Sequence, residues 1–425
     1  MNPSFLLMLF LIFQLLQEIL ESVLMGLNRR YYKNPRHQSH ACQVLGIDTE
    51  GLSKSLSYAE DKFRLSLTES WTATILTLGF IALGGIGWME GEVKSLVEPW
   101  GGGQIAVGLL LFAALSLLSG VVGLPFDYYR TFVIEERHGF NRQTVRGFWL
   151  DLVKGLMLGA ILGGLILGVV LWIMEQAGPT WWIWAWLALS AISLLTAWLY
   201  PTLLAPLFNK FRPLEDGALK TAIDALASRV GFGSKGVMVM DASRRSSHGN
   251  AYFTGLFGKK RIVLFDTLIA SLTPSEIVAV LAHELGHFKL RHVTLGLIRG
   301  LATTGLLFFG LSLCLELTPF YTAFGLKEPT TYGALLVFSM WFGLANFYLQ
   351  PISNHISRRH EFAADRFALE HIENKTELGQ ALLKLREKSH SLPLSHPLYS
   401  AVYHSHPPLL ERLDAMTSDK RWAQT

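Results

Sequence analysis

Long apolar stretches alternate with polar segments along the chain. Seven of these stretches have about the 20 residues that an α-helix needs to cross the hydrocarbon core of a membrane. They are Phe5–Leu27, Trp71–Met89, Gln104–Leu124, Leu152–Met174, Trp181–Tyr200, Thr294–Leu317 and Tyr332–Ile352. The pattern therefore predicts an integral membrane protein with seven helical spans.

The first predicted span carries polar side chains at Gln14, Gln17, Glu18 and Glu21. Their spacing of three and four residues places them on one helical face. Carboxylates that face lipid are costly, so we predict that this face lines a wet interior. A face near the membrane interface is the alternative. The stretch lacks the basic n-region and small-residue cleavage site of a signal peptide.

Basic residues are distributed unevenly among the connections between the predicted spans. The connections after the first and third spans are rich in Lys and Arg, whereas those after the second and sixth hold only Lys94 and Lys327. Basic connections stay on the cytoplasmic side of a membrane. We therefore expect the N-terminus outside and the C-terminus in the cytoplasm.

Composition supports a membrane protein and excludes some other classes. Half of the residues (50%) are apolar and 16% are charged, unlike an ordinary soluble enzyme. The net charge of +4 is mild, and basic residues do not cluster with aromatic ones. No nucleic-acid partner is therefore expected. Cys42 lies in a polar loop and Cys314 in an apolar stretch, so a disulfide framework is not expected.

Two polar segments lie on the predicted cytoplasmic side and can fold together as one domain. In the first segment, apolar spacing predicts a helix at Lys220–Val230, and β-branched runs predict strands at Gly236–Met240 and Arg261–Phe265. These strands would form a small sheet. The predicted division is spans one to five with their loops in 1–200, polar domain in 201–293, spans six and seven in 294–352, and polar domain again in 353–425.

The polar domain contains an HExxH motif, His283-Glu284-Leu285-Gly286-His287. In a helix, residues four apart share a face, so both imidazoles can reach one metal ion. A capping box with proline at the first helical position, Thr273-Pro274-Ser275-Glu276, predicts that helix. The alternative is a pair of interfacial histidines on an amphipathic helix.

A catalytic zinc ion needs three protein ligands and one open position. Glu361 and Asp365 are four apart on a helix that is predicted to continue from span seven, so Glu361 can bind zinc while Asp365 supports a ligand imidazole. A solvated helix in which Glu361 pairs with Arg358 is the alternative. Spacing alone also allows rival ligands at His292, His355 and His360.

This set of residues predicts hydrolysis by an activated water molecule. Zinc lowers the pKa of bound water, and Glu284 is expected to take the proton. The oxygen of the attacked carbonyl then needs a hydrogen-bond donor. Three histidines of the C-terminal segment, His396, His404 and His406, are candidates.

Several separated segments resemble the type I CAAX prenyl endopeptidase family, zinc-dependent membrane proteases that cleave prenylated C-terminal motifs. The similar segments are Pro125–Thr144, Tyr200–Gly217, Ser243–Thr267, the HELGH helix, SRRHEFAAD and HSHPPLLERL. The resemblance implies a mainly α fold, with seven spans forming a tilted helical barrel around a large water-filled chamber. It also implies a thermolysin-like zinc peptidase domain carrying a small β-sheet, with one zinc ion per chain.

The resemblance also implies roles for individual residues. Glu361 would be the third zinc ligand and Asp365 its outer-shell partner, while His406 and Arg412 would lie beside the scissile carbonyl. The segment Asn250-Ala251-Tyr252 resembles the edge strand that pairs with substrate in thermolysin-like proteases. For Asn250, a turn residue after Gly249 is the alternative.

The substrate is less defined than the chemistry. We expect a peptide or protein, prenylated or not, that is cut by a monomeric enzyme in the bilayer. A quality-control protease without a prenyl requirement is the alternative, and a bacterial inner membrane is favoured over the endoplasmic reticulum. An intramembrane protease would need HExxH inside an apolar span, whereas Lys289 and Arg291 follow it here. A transport or scaffolding role would leave Glu284 without a function.

Overall fold

The computed structural model of the 425-residue chain describes residues 2–141, 143–199, 205–233, 236–244, 250–254, 261–387 and 392–417. The predicted end of the fifth span at Tyr200, the start of the polar domain at 201–204, and its end at 418–425 lie outside these residues. Parts of the Ser243–Thr267 segment do so as well.

The described chain is mainly helical. Its helices are α1 (Pro3–Lys33), α2 (Pro35–Leu45), α3 (Thr49–Ala82), α4 (Gly85–Val97), α5 (Gln104–Tyr129), α6 (Val145–Gln176), α7 (Trp181–Leu199), α8 (Ala205–Phe208), α9 (Ala218–Arg229), α10 (Asp266–Ile269), α11 (Pro274–Lys289), α12 (His292–Cys314), α13 (Thr318–Thr322), α14 (Thr331–His371), α15 (Thr376–Glu387), α16 (Pro397–Tyr403) and α17 (Leu409–Thr417). A π-helical segment, Arg130–Glu135, continues α5.

Six described helices are long and apolar enough to cross a membrane, and one bent helix pair would make a seventh. The chain is therefore a multi-pass integral membrane protein, as the apolar pattern predicts. The bent pair corrects the second predicted span, because Trp71–Met89 is not one uninterrupted helix. The first helix of the pair ends at Ala82, and the axes of the two helices form an angle of 69°. Gly84 lies at this break with φ 75°, a left-handed conformation that glycine adopts without steric cost.

The chain divides into two compact units, and the first consists of Met1–Gly26, Tyr58–Leu189 and Leu301–Leu349. In this unit α4 packs against α5, and α5 packs against α6. Glu18 is buried, and its carboxylate accepts hydrogen bonds from the hydroxyl groups of Ser70 (2.8 Å) and Thr74 (3.0 Å) on α3. The prediction of a wet environment is therefore wrong for Glu18, which lies in a helix–helix contact.

The second unit consists of Leu27–Ser57, Ser190–Gly300 and Gln350–Thr425. It contains a four-stranded sheet of order β1-β2-β4-β3. The strands are β1 (Phe211–Pro213), β2 (Val237–Met240), β3 (Ala251–Thr254) and β4 (Arg261–Phe265). β2 and β4 are parallel, and the other pairs are antiparallel. The predicted small sheet and the helix at Lys220–Val230, here α9, are thus confirmed.

An apolar core joins the sheet of the second unit to its helices. Ile262 and Leu264 of β4 and Leu281 of α11 are fully buried in this core. Helix α11 packs against α9, α15 and β3. The helix that carries the HExxH motif is therefore the centre of the unit, held on several sides by apolar contacts.

Candidate metal centre

Helix α11 begins at the predicted capping box. The Thr273 hydroxyl accepts a hydrogen bond from the Glu276 amide (3.3 Å), and the Glu276 carboxylate accepts one from the Thr273 amide (2.8 Å). Pro274 occupies the first turn, where a missing N–H costs nothing. These contacts fix the register of α11, so that His283 and His287 lie one turn apart on the same face.

Helix α14 supplies the third predicted ligand and its neighbour. It runs unbroken from Thr331 to His371, with Pro351 inside it, so Glu361 and Asp365 belong to the same helix as the predicted seventh span. Glu361 is 5% exposed and Asp365 is fully buried. Buried carboxylates need compensating charges or hydrogen bonds, so the partners of Glu361 and Asp365 indicate what these side chains bind.

Gly286, inside the HExxH motif, allows α11 and α14 to approach closely. A Cβ atom at this position would lie 3.1 Å from the Cα atom of Ala364 and 3.2 Å from its carbonyl oxygen. Ala364 is itself fully buried and has a minimal side chain. The absence of bulk on both helices thus brings the backbone of the Glu361 turn against the HExxH turn.

The three predicted ligands converge, with one ligand atom from each lying within 4.8 Å of the others. The Nε2 atoms of His283 and His287 are 3.2 Å apart. Glu361 oxygens lie 3.6 Å from His283 Nε2 and 3.3 Å from His287 Nε2. Ligands bound tetrahedrally at the usual zinc distances are about 3.3 Å from one another. Two imidazoles and a carboxylate at this spacing therefore fit a catalytic zinc ion with one open position.

Asp365 and Arg412 orient His283 through Nδ1, the ring nitrogen that does not point at the metal position. The Nδ1 atom of His283 lies 2.8 Å from Oδ1 of Asp365, so a hydrogen bond donated to this carboxylate leaves the Nε2 lone pair directed at the metal position. Arg412 donates two hydrogen bonds to Asp365, from Nε (2.9 Å) and Nη2 (2.6 Å). A bidentate pair of this kind fixes orientation as well as charge.

Two further groups of the C-terminal segment reach Glu361. Nη1 of Arg412 lies 3.9 Å from its Oε2 atom, and Nε2 of His406 lies 3.3 Å from its Oε1 atom. The His406 side chain is 68% exposed, whereas that of Arg412 is 11% exposed. His406 is therefore placed where an incoming molecule could contact it, while Arg412 is enclosed by the carboxylates.

Among the described residues, the cluster of possible ligands does not include any of the three rival histidines. Nδ1 of His292 is 3.0 Å from Nδ1 of His287, and the ring of His292 stacks on His360 at 4.0 Å with a 6° interplanar angle. His292 thus contacts the far nitrogen of a ligand imidazole, as an outer-shell partner does. His355 lies elsewhere on α14, in a cavity with Arg358 and Arg359.

We expect His292→Ala to lower zinc affinity by about 10- to 100-fold, because the Nδ1 proton of His287 would lose its acceptor. Competition with a chromophoric chelator measures this change. In the His292→Asn variant a side-chain oxygen can replace the imidazole nitrogen as acceptor, so affinity should be largely retained. Unchanged affinity in His292→Ala would show that the contact with His287 has no role in metal binding.

The electrostatics of α11 suit both a metal ion and a base. Burial raises the pKa of Glu284 above its usual value, against the lowering effect of His283 and His287. Burial alone would lower the pKa of His287, but the hydrogen bond and charge of Glu361 outweigh it and raise that pKa. The attraction that holds a proton on His287 also favours a cation beside Glu361, so zinc and protons compete for this site.

The other predicted histidines have different surroundings. His396 is the N-cap of α16, where its side chain accepts a hydrogen bond from the Leu398 amide. His404 ends the same helix, and burial together with the charge of Arg358 lowers its pKa. Of the three candidates, His406 is therefore the one for which the structure gives a contact with a predicted ligand.

The predicted substrate strand forms β3. Ala251 and Tyr252 pair with β4 on one side, and β3 ends the order of the described strands. Asn250 precedes the strand, where its carbonyl accepts a hydrogen bond from the Phe265 amide (3.0 Å) and its side chain accepts one from the Ala251 amide (2.8 Å). β3 also packs against α11, which carries Glu284.

Comparison with known proteins covers nearly the whole chain. Residues 28–210 match the family described as CAAX prenyl protease N-terminal, five membrane helices, and residues 213–420 match peptidase family M48. The chain is 38% identical over 379 residues to the CAAX prenyl protease 1 homolog of Arabidopsis thaliana, covering 88% of this chain and 89% of the relative. It is 34% identical to the CAAX prenyl protease 1 homolog of Homo sapiens, covering 94% and 93%.

A solved structure supports the same assignment. The crystal structure of S. mikatae Ste24p superposes with a TM-score of 0.87 at 34% identity, covering 97% of this chain and 99% of that chain. The similarities extend over the membrane helices as well as over α11, α14 and α17. The chain therefore belongs to the type I CAAX prenyl protease family and is a membrane-embedded zinc metalloprotease.

Proposed function

We propose that this chain hydrolyses extended peptides ending in a CAAX motif, using one zinc ion per chain held by His283, His287 and Glu361. The observation that carries this proposal is the convergence of the three ligand atoms at tetrahedral spacing beside Glu284. The relatives named above, which are called CAAX prenyl proteases, support the substrate class. The intramembrane alternative loses support because α11 is not among the described helices able to span a membrane.

The chain's own residues divide the chemical work. When bound, zinc polarises the scissile carbonyl and lowers the pKa of water. Glu284, whose raised pKa makes it a better proton acceptor, takes the water proton and passes it to the leaving amine. His406, which is exposed beside Glu361, donates a hydrogen bond to the oxygen that becomes negative.

Arg412 and Asp365 orient one of the proposed ligands, His283, without binding zinc themselves. Their bidentate pair holds the His283 ring in the tautomer that leaves Nε2 unprotonated. Arg412 is also predicted to lie beside the scissile carbonyl, and its Nη1 atom, which faces Glu361, is the group available for that role. We therefore assign Arg412 chiefly as a positioning residue.

The peptide would bind as an added strand beside β3. β3 ends the order of the described strands, and an extended chain would bind along that side of it, against the segment Asn250, Ala251 and Tyr252. Because β3 packs on α11, a peptide bound there would run close to Glu284. This arrangement supports cleavage of extended rather than helical substrates.

The proposal also covers the orientation of the chain in the membrane, its oligomeric state and its compartment. The distribution of Lys and Arg supports an external N-terminus and a cytoplasmic peptidase domain built from 201–293 and 353–425. We propose a monomer in a bacterial inner membrane rather than the endoplasmic reticulum, although the relatives named above are eukaryotic. Protease protection of tagged termini in membranes from the source organism tests both the orientation and the compartment.

The substrate is tested with purified protein whose zinc content has been measured. A quenched CAAX peptide is assayed in its prenylated and unprenylated forms, and we expect faster turnover of the prenylated form. Equal rates would remove the prenyl requirement and favour a quality-control protease. No turnover of either form by the zinc-loaded protein would overturn the proposed function.

A further inference from the structure

A basic cavity of about 330 Å³ lies beside the candidate metal centre, within the second unit. One wall is a face of α14, and the others come from α16 and the start of α17. The lining residues are His355, Arg358, Arg359, Phe362, Pro397, Ser400 and Glu411. The proposed reaction uses none of them.

The cavity and the proposed zinc ligand Glu361 share helix α14. Arg358 precedes Glu361 by three residues, and residues at that spacing are neighbours on a helix surface. Phe362 follows Glu361 directly and lines the same cavity. The cavity therefore begins within about one helical turn, or 5.4 Å along the axis, of the proposed zinc ligand.

The charge of the lining favours an anion. The lining includes two arginines and a histidine but one acidic residue, Glu411. The Nη1 atom of Arg358 donates a long hydrogen bond of 3.4 Å to the Ser400 hydroxyl, which directs this half-buried side chain toward α16. Guanidinium groups bind carboxylates through paired, charge-assisted hydrogen bonds.

We propose that this cavity binds the C-terminal carboxylate of the substrate, with Arg358 as its principal ligand and Arg359 as a second cation. The inference rests on the proposed function, because a CAAX motif ends three residues beyond its cysteine. Three extended residues span up to about 10 Å, which is longer than the one helical turn of about 5.4 Å that separates Arg358 from Glu361 along the axis. The cavity would thus distinguish a chain end from an internal segment.

Peptide binding to the full-length, zinc-loaded Glu284→Gln protein tests this proposal without requiring hydrolysis. The probe is a fluorescent, farnesylated peptide ending in Cys-Val-Ile-Met, made with a free C-terminal acid and with a C-terminal amide. We expect the acid to bind about 10- to 100-fold more tightly, as the loss of charge-assisted hydrogen bonds predicts. Adding Arg358→Gln should reduce the affinity for the acid to that for the amide.

Matched variants separate recognition from folding. Arg358→Lys keeps the charge but not the paired hydrogen bonds, so it should retain part of the preference. Arg212→Gln, in which an exposed arginine of β1 is changed, should retain all of it. Zinc content, measured for each variant, reports an intact site.

Two results would overturn the carboxylate assignment. One is equal affinity of the parent protein for acid and amide, and the other is an Arg358→Gln effect that weakens both peptides alike. The latter would indicate a structural role or an anionic lipid in the cavity. Failure of the wild-type enzyme to cleave either peptide would instead overturn the proposed function, since the binding preference is measured independently.

Discussion

Replacing Glu284 with Gln should lower kcat/KM by about 10²- to 10⁴-fold, the usual contribution of a general base. The amide has nearly the shape of the carboxylate but cannot accept a proton from water. None of the three proposed ligands is changed, so the purified variant should still hold about one zinc ion per chain. Peptide turnover and metal analysis on the same sample measure both effects.

Glu373→Gln is the matched control for this experiment. Glu373 is 91% exposed and lies 3.5 Å from Arg229, so its change to Gln should leave turnover unchanged. Undiminished turnover in Glu284→Gln would exclude Glu284 as the base. If that variant lost zinc, its inactivity would not test the role of Glu284 as base. It would also indicate that Glu284 helps to bind the metal, whereas the three proposed ligands leave the fourth position open.

The second large effect is expected from Glu361→Ala, which should deplete zinc in the purified protein. If Glu361 is a ligand as proposed, its removal should weaken zinc binding by more than the about 100-fold that loss of an outer-shell partner can cost. The variant would also leave Arg412 and His406 without the carboxylate they contact. Zinc stoichiometry after dialysis against a weak chelator measures the loss.

His355→Ala provides the comparison, because the sequence allowed His355 as a rival ligand on the same helix. It lines the basic cavity and does not belong to the group of possible ligands, so its removal should leave zinc in place. Retention of zinc in Glu361→Ala together with its loss in His355→Ala would reverse the proposed ligand set. His360→Ala should also retain zinc, since that ring stacks on His292 instead of facing the cluster.

Local sequence patterns predicted the parts of the site that depend on neighbouring residues. The capping box at Thr273 and the four-residue spacing of His283 and His287 are both interactions within one helix, and α11 has both. The continuation of the seventh span to Asp365 was likewise predicted from helical spacing. The choice of Glu361 over the rival histidines came from the family resemblance, because spacing alone does not distinguish them.

Contacts between distant segments could not be predicted in this way. Arg412 reaches Asp365 across 47 residues, and no local pattern indicates such a pair. His292 meets His287 because the chain turns at Arg291, whose φ of 60° is unusual for a residue other than glycine. In a continuous helix, side chains five residues apart point in different directions, so the sequence predicted a rival ligand where the structure has a supporting contact.

The apolar pattern did not predict how the membrane helices bend or which side chains they bring together. It predicted seven spans, of which six are single described helices and the second is a pair bent at Gly84. The bend was not predicted because hydropathy reports burial in lipid and not backbone direction. The backbone contact between Gly87 and Gly325 follows from that bend. Likewise, the polar face of α1 was detected, but the hydroxyl partners that bury Glu18 lie on α3.

The unbroken course of α14 has a consequence for which bond is cut. After the predicted span ends at Ile352, the same helix continues to Glu361, which at about 1.5 Å per residue lies roughly 13 Å further along its axis. A helix is stiff, so the proposed ligand Glu361 stays at a fixed distance from Ile352 along this axis. For the proposed substrate, a peptide anchored in the bilayer by a lipid, this fixed distance would limit how far from the anchor the cleaved bond can lie.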